Sequence, residues 1–196
     1  MQVNQPGLIL GYHGTSLAIA EEIIHGKGLN HLWPSQKDYD WLGSGIYFWE
    51  NSRRRAEEWA NERHPKSPAV IGAVIQLGTC FDLLDQEFLD LAQDAACQVL
   101  ARYAGEVQPP INRGKAHRFD CELMEFIKSS EPDRFGGPYD SARAAFLEGE
   151  PIAVHSDFKH QTHIQVAVYN QNCIKGYFWP QMSSLSTSSV SSADEY

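Results

Sequence analysis

Several features that would assign a protein to a class at once are missing from this chain of 196 residues. No stretch approaches the roughly 20 consecutive apolar residues that span a bilayer, and the first residues, MQVNQPG, lack the basic and apolar segments of a secretory signal. Cys80, Cys97, Cys121 and Cys173 lie far apart and form no CxxC pair. We therefore expect a cytoplasmic protein with reduced thiols, no membrane association, no metal site and no disulfide framework.

Positive charge is also scarce, since 16 Lys and Arg stand against 25 Asp and Glu for a net charge of −9. This balance disfavours binding of nucleic acid or anionic membranes through bulk charge, although Arg53-Arg54-Arg55 forms one local basic run. Hydrophobic residues make up 42% of the chain, as in folded globular proteins. We expect one domain over residues 1–182, followed by a mobile Ser-rich tail over residues 183–196.

Apolar periodicity and turn residues predict helices and strands along most of the chain. Residues 28–40 follow no period, so we expect a loop that leads into Gly43-Ser44-Gly45. The predicted helices cover residues 16–26, 52–63, 85–104 and 121–128. The predicted strands cover residues 8–10, 46–49, 70–77, 144–147, 164–169 and 173–179.

The late strand at 164–169 carries polar groups on one of its two faces. Alternation places Gln165, Ala167 and Tyr169 on the same side, and His163 precedes them on that side. These polar groups either hydrogen-bond within the sheet or serve a ligand. The strand alone leaves both interpretations open.

Two segments resemble the NAD-binding segments of the ADP-ribosyltransferase superfamily, in its diphtheria-toxin-like and poly(ADP-ribose) polymerase branch. They are YHGT at 12–15 and GSGIYF at 43–48, the second followed by a helix that contains Ala56. The resemblance covers residues 8–60 and 143–179, and the later part is similar to uncharacterised bacterial members of this group. Residues 82–140 match no family pattern.

The resemblance implies an α+β fold: a split, mostly antiparallel sheet with flanking helices and an NAD cleft between the two sheet halves. The branch is defined by a His, Tyr, Glu triad on three strands, and His13, Tyr47 and Gln165 occupy the three positions. NAD, as a substrate, is expected to contact a set of residues from the two matching segments and the following helix. These are His13, Gly14, Thr15, Gly45, Tyr47, Ser52 and Arg55.

The resemblance also implies a role for each of three residues. His13 would donate a hydrogen bond to a ribose hydroxyl on the adenosine side of NAD. The backbone N–H and C=O of Gly14 would bind the nicotinamide carboxamide, and the Tyr47 ring would stack on the nicotinamide. We therefore expect the three triad side chains to converge on the cleft.

The sequence departs from the family pattern at two positions. Gln165 stands where the family usually has glutamate, so it keeps hydrogen bonds but supplies no charge and takes no proton. Acid or base work then falls to Glu148 and Glu150, which share a strand face by spacing, or to His163. Arg55 replaces the usual carboxamide-binding serine, so that Ser52 would substitute for it or Arg55 would reach the pyrophosphate at a helix start.

These residues predict a mono-ADP-ribosyltransferase that transfers ADP-ribose from NAD to a macromolecular acceptor, protein or nucleic acid. A role as a bacterial effector or toxin would bring in a neutralising partner protein. Two alternatives stay open: a catalytically inactive module of the same fold that binds NAD or ADP-ribose, and an enzyme like the NAD-dependent RNA 2′-phosphotransferases.

Overall fold

A six-stranded, mostly antiparallel sheet with helices packed on it organises the protein in the computed structural model. The structure describes residues 4–26, 31–38, 40–105 and 108–181, so the expected Ser-rich tail lies outside the described residues. This architecture confirms the α+β class with its mostly antiparallel sheet and flanking helices.

The strands alternate with helices in the first half of the chain and dominate its end. The strands are β1 (Asn4–Ser16), β2 (Ile46–Glu50), β3 (Pro68–Asp82), β4 (Asn112–Arg113), β5 (Ala116–His117), β6 (Ser141–Phe146), β7 (His163–Val168) and β8 (Ile174–Phe178). The helices are α1 (Leu17–His25), α2 (Arg53–Arg63), α3 (Gln86–Ala101), α4 (Arg118–Ser129) and α5 (Pro132–Phe135).

Strand order in the main sheet is β1-β2-β7-β6-β3-β8, and β1 also pairs with β3 along most of its length. The pairing of β3 with β6 is parallel, whereas the other ladders of this sheet are antiparallel. The β1–β2 ladder is short: its paired residues are Gly11 with Glu50 and Tyr12 with Trp49. The ladder has no pair beyond Tyr12, which leaves an opening between the two strands in this single six-stranded sheet.

Two apolar clusters cover the two faces of β7. Val166 and Val168 belong to the cluster that contains Phe48 and Ile71. Ala167 belongs to the second cluster, which Tyr47 and Tyr169 contact and which packs α3 and α4 against the sheet. The predicted alternation along this strand is therefore confirmed, and Gln165 lies on the side of the second cluster.

The ends of α1 follow the predicted signals. Ser16 accepts a hydrogen bond from the Ile19 N–H, and Gly26 ends the helix with a φ of 62°, a left-handed conformation that glycine adopts without a steric penalty. Ser52 lies at the cap position of α2, but its side chain makes no capping hydrogen bond. The side chain of Asp85 caps α3 by accepting from the Glu87 N–H.

Some boundaries and elements differ from the sequence prediction. The strand expected at 144–147 runs from Ser141 to Phe146, because its register is set by pairing with β7 and β3 rather than by local apolar content. The β4–β5 hairpin and the short helix α5 were not predicted; both lie in the segment 82–140. No helix in the described part of the chain is long and apolar enough to cross a bilayer.

Candidate active site

The candidate site begins at the opening between β1 and β2. The Leu10 carbonyl accepts from the Asn51 N–H, so the backbone groups of residues 10, 12 and 14 are directed toward β2. Since the β1–β2 ladder ends at Tyr12, Gly14 directs its N–H and C=O into the opening. One donor and one acceptor at this spacing complement a carboxamide, as the resemblance implies.

The His13 side chain spans the same opening, from β1 to the backbone of β2. Its Nδ1 lies 2.7 Å from the carbonyl oxygen of Tyr47, and because a carbonyl only accepts, Nδ1 carries the proton. Burial lowers the pKa of His13 from 6.5, which favours the neutral ring with Nε2 as a free acceptor. The role expected from the sequence is thereby changed: neutral His13 would accept from a ribose hydroxyl rather than donate to it.

Tyr47 fixes the turn that precedes its strand. Its hydroxyl donates to the Gly43 carbonyl at 2.8 Å and accepts from the Leu42 N–H at 3.0 Å. Burial is the largest cause that raises the Tyr47 pKa far above its ordinary value, so the hydroxyl stays protonated. The ring remains partly exposed and packs against the second cluster.

Gln165 lies at the centre of a chain of hydrogen bonds. The indole N–H of Trp41 donates to Gln165 Oε1 at 2.8 Å, and Gln165 Nε2 lies 3.1 Å from His163 Nε2. The indole also packs against Phe146 and lies 4.5 Å, between ring centroids, from His117. The loop before β2 therefore covers the Gln165 side chain.

His163 continues this chain and is buried. Its Nδ1 lies 2.6 Å from the carbonyl oxygen of Gln161, while Arg55 Nε lies farther away, at 3.4 Å from the same nitrogen. The carbonyl therefore determines that Nδ1 carries the proton. Burial first, and then the charge of Arg55, lower the pKa of His163 from 6.5.

Arg55 joins the candidate base residues to this cluster. Its guanidinium binds Glu148 at 2.8 Å and also contacts Glu58, whose carboxylate accepts from Gln161 Nε2 at 3.1 Å. Arg55 keeps only 15% of its side-chain exposure. The structure thus brings Arg55 and Glu148 next to His163, with the charge of the arginine balanced by carboxylates.

Glu150 is not part of this cluster, which corrects the expectation that it shares a strand face with Glu148. Strand β6 ends at Phe146, and the chain turns at Gly149, whose φ is 81°. The alternation of a strand therefore does not continue to Glu150. Its side chain is exposed, and its carbonyl accepts from the His160 N–H.

Two glycines of the expected contact set are constrained by packing. A Cβ at Gly14 would lie 2.4 Å from the Ala56 carbonyl oxygen, so Gly14 allows α2 to approach β1. Gly45 exchanges two backbone hydrogen bonds with Ser35 at 2.8 and 3.1 Å. These bonds occupy both backbone groups of Gly45, which was expected to contact NAD.

Thr15 and Ser52 are the remaining members of the expected contact set: Thr15 follows Gly14 in β1, and Ser52 lies between β2 and α2. Thr15 is buried in β1 and pairs with Ala69 of β3. Ser52 is partly buried at the start of α2. Neither side chain makes a hydrogen bond to another described residue, so no contact defines a role for either.

The three triad positions lie on adjacent strands, β1, β2 and β7, but their side chains do not share one environment. The His13 ring contacts Phe48 edge-on at 5.8 Å between centroids, on the side of the first cluster. Tyr47 and Gln165 lie on the other side, because Tyr47 pairs with Ala167 and Gln165 pairs with Trp49. The expected convergence of the three side chains on one cleft is therefore not seen: His13 bonds the Tyr47 backbone, whereas Gln165 bonds Trp41 and His163.

Sequence reasoning missed Trp41 and Trp49. Trp41 lies between the loop predicted over residues 28–40 and Gly43-Ser44-Gly45, and nothing in the sequence indicates its contact with Gln165, 124 residues away. Trp49 is 6% exposed, and its indole N–H has no hydrogen-bond partner among the described residues. Its register opposite Gln165 could have been anticipated from the two predicted strands, had their pairing been known.

Comparison with known proteins returns no relative: no family model, no curated protein and no solved structure matches the chain.

Proposed function

We propose that the protein is a mono-ADP-ribosyltransferase that takes NAD as a substrate and transfers ADP-ribose to a macromolecular acceptor, protein or nucleic acid. The observation that carries the proposal is the opening between β1 and β2, where the β1–β2 ladder ends before Gly14 and the His13 ring bonds the Tyr47 carbonyl instead. Gln165 lies on the next strand of the sheet.

Each group would contribute to binding in a distinct way. The carboxamide of nicotinamide would pair with the N–H and C=O of Gly14, and a ribose hydroxyl would donate to Nε2 of His13. The Tyr47 ring would contact the nicotinamide ring. Gln165 would bind the ribose next to the bond that breaks.

The reaction breaks the bond between the ribose C1′ and the nicotinamide nitrogen, and nicotinamide leaves as a neutral molecule. Positive charge develops on the ribose, where the Gln165 carbonyl dipole would stabilise it less than a carboxylate does. The acceptor forms the new bond to C1′ and loses a proton. Glu148, held by Arg55 at 2.8 Å, is the carboxylate of the cluster proposed to receive it.

A cellular role follows from the chemistry. Uncontrolled transfer from NAD depletes a cofactor and modifies the target, so an effector or toxin would need a neutralising partner in the cytoplasm of the cell that produces it. The proposal thus includes such a partner.

Incubation of the purified protein with labelled NAD and cell extract tests this function. We expect nicotinamide release and label on a macromolecule, with both reduced by His13→Ala and by Gln165→Ala. His160→Ala serves as the matched control because His160 is exposed and lies outside the cluster. Absence of both nicotinamide release and labelled product from the wild-type protein would overturn the proposal.

A binding module without catalysis is the second candidate, favoured by one observation. Position 165 has no carboxylate, and Oε1 of Gln165 is already bound by Trp41. Calorimetry separates the two candidates, because the module would bind NAD or ADP-ribose without releasing nicotinamide. The 2′-phosphotransferase alternative has less support, because Glu58 and Glu148 balance the charge of Arg55.

A further inference from the structure

We infer that Trp41 and His163 are positioning residues that hold the Gln165 amide in one orientation and match position 165 to glutamine rather than glutamate. The inference deepens the proposed function, because it concerns the residue expected to bind the ribose. Its structural part rests on contacts within the chain and can be tested without NAD.

Trp41 fixes one end of the amide. An indole nitrogen only donates, so the atom that faces it at 2.8 Å is the carbonyl oxygen of Gln165. The indole is held in place by its contacts with Phe146 and His117. Its neighbour Leu42 is bound on both backbone groups, since the Tyr47 hydroxyl accepts from its N–H and the Tyr169 hydroxyl donates to its carbonyl.

His163 fixes the other end. With the oxygen facing Trp41, the NH₂ group of Gln165 faces His163 Nε2 at 3.1 Å. The Nδ1 proton of His163 points to the Gln161 carbonyl at 2.6 Å, so neutral His163 has its lone pair on Nε2, where the amide donates. The chain therefore runs in one direction: Trp41 donates to Gln165, Gln165 to His163, and His163 to Gln161.

A glutamate at 165 would break this direction. Its carboxylate could still accept from Trp41, but it has no N–H for His163 Nε2. A favourable contact would then require a second proton on His163, which makes the ring cationic. Burial and the charge of Arg55 oppose that proton, whereas Glu58 and Glu148, the carboxylates that face the ring from α2 and from the segment after β6, favour it.

The fixed amide also defines what Gln165 can offer to a ligand. After its bonds to Trp41 and His163, one lone pair of the oxygen and one N–H of the NH₂ group remain. A vicinal diol matches this pair, because one hydroxyl donates and the other accepts. The ribose 2′,3′-diol is therefore the group that Gln165 would recognise, whereas a carboxylate would only accept.

NMR titration of ¹⁵N-histidine-labelled protein tests the inference in the free protein. The His163 signals are identified by their loss in His163→Gln. We expect neutral His163 to carry its proton on Nδ1 and to titrate below 6.5. In Gln165→Glu the midpoint should rise by at least about one pH unit, a tenfold change in proton affinity. Gln86→Glu, which adds the same charge at an exposed position of α3, should leave the midpoint unchanged.

Two results would overturn the inference: a neutral His163 protonated on Nε2, or an unchanged His163 midpoint in Gln165→Glu. The activity assay adds a second readout. Protonation of His163 removes the acceptor for the Gln165 amide, so nicotinamide release by the wild-type protein should decline as the pH falls through the His163 midpoint. His163→Gln keeps an acceptor near the amide and should retain release without this decline, whereas His163→Leu should lose roughly tenfold at every pH. If wild-type protein releases no nicotinamide, the proposed function fails, and the titration still decides the inference.

Discussion

His13 donates its Nδ1 proton to the carbonyl oxygen of Tyr47 at 2.7 Å. Tyr47 lies on β2 two residues before Trp49, where the β1–β2 ladder ends. Had the ladder continued, Gly14 would have been the next residue of β1 to direct its backbone groups at Tyr47. The imidazole takes the carbonyl instead. The Gly14 groups are thereby left to the opening, where the proposed carboxamide contact lies.

This relationship predicts different results for two substitutions of His13. His13→Ala removes both ring nitrogens and should lower the free energy of unfolding by about 1 kcal/mol as well as weaken NAD binding. His13→Asn keeps an N–H near the Tyr47 carbonyl but has no counterpart of Nε2. It should fold with nearly wild-type stability and still bind NAD poorly. Chemical denaturation and calorimetry measure the two properties, and tight NAD binding by His13→Asn would exclude the role of Nε2.

Replacement of Gln165 separates transition-state stabilisation from packing. Gln165→Ala should cost about 1–3 kcal/mol in the transition state, a loss of roughly 5- to 150-fold in nicotinamide release. The variant also leaves Trp41 and His163 without their partner, so its stability should be measured alongside its rate. Unchanged activity in a folded Gln165→Ala protein would show that Gln165 is structural.

Gln165→Glu tests what the acceptor requires. If a carboxylate suffices at this position, transfer should be preserved or rise. If the amide N–H positions the ribose or the acceptor, transfer should fall while hydrolysis of NAD persists. Parallel measurement of transfer and hydrolysis distinguishes these outcomes, and the vicinal-diol match favours the second.

The two glutamates that follow β6 should behave differently. Glu148→Gln removes the proposed base and one carboxylate from Arg55, so we expect a loss of roughly 100-fold in transfer with up to about 1 kcal/mol in stability. Glu150→Gln is the matched control, since its side chain is exposed and outside the cluster. Equal losses in transfer for both variants would contradict the assignment of Glu148.

Gly14→Ala should lower the stability of the fold, whatever its effect on NAD binding. The added Cβ would lie 2.4 Å from the Ala56 carbonyl oxygen and 3.0 Å from the Ala60 nitrogen, so α2 must shift at a cost of roughly 1–3 kcal/mol. Gly176→Ala is the control, because nothing lies within 4 Å of its added Cβ. Loss of NAD binding in Gly14→Ala alone is therefore no test of the carboxamide contact. Wild-type thermal stability of this variant would contradict the packing.

The stability of the protein should fall as the pH drops below about 6.5. Burial lowers the pKa values of His13 and His163 in the folded state from 6.5, so the unfolded chain takes up protons first. The free energy of unfolding then declines between 6.5 and the folded-state pKa values, by at most about 1.4 kcal/mol per pH unit for each histidine. Urea denaturation at pH 7.5 and 5.5 measures the effect, and His163→Gln should reduce it. An identical pH dependence in that variant would contradict a lowered pKa at His163.

The sequence by itself determined the local elements around the site and the identity of most candidate residues. Helix α1 begins after Ser16 and ends at Gly26 as predicted, because side-chain capping and left-handed glycine are local signals. The alternation of β7 was also predicted, since a strand turns its side chains to opposite faces with a period of two. Short motifs placed His13, Tyr47 and Gln165 on three strands.

Only the tertiary structure decided which side chains meet. Trp41 contacts Gln165, 124 residues away in the sequence, and Arg55 contacts Glu148, 93 residues away. Neither contact can be predicted from the periodicity of the local sequence. The end of β6 at Phe146, and with it the separation of Glu148 from Glu150, depends on register with β7 and β3. Register between distant strands is fixed by packing of the whole sheet, and a turn of the chain at one glycine redirects every side chain that follows.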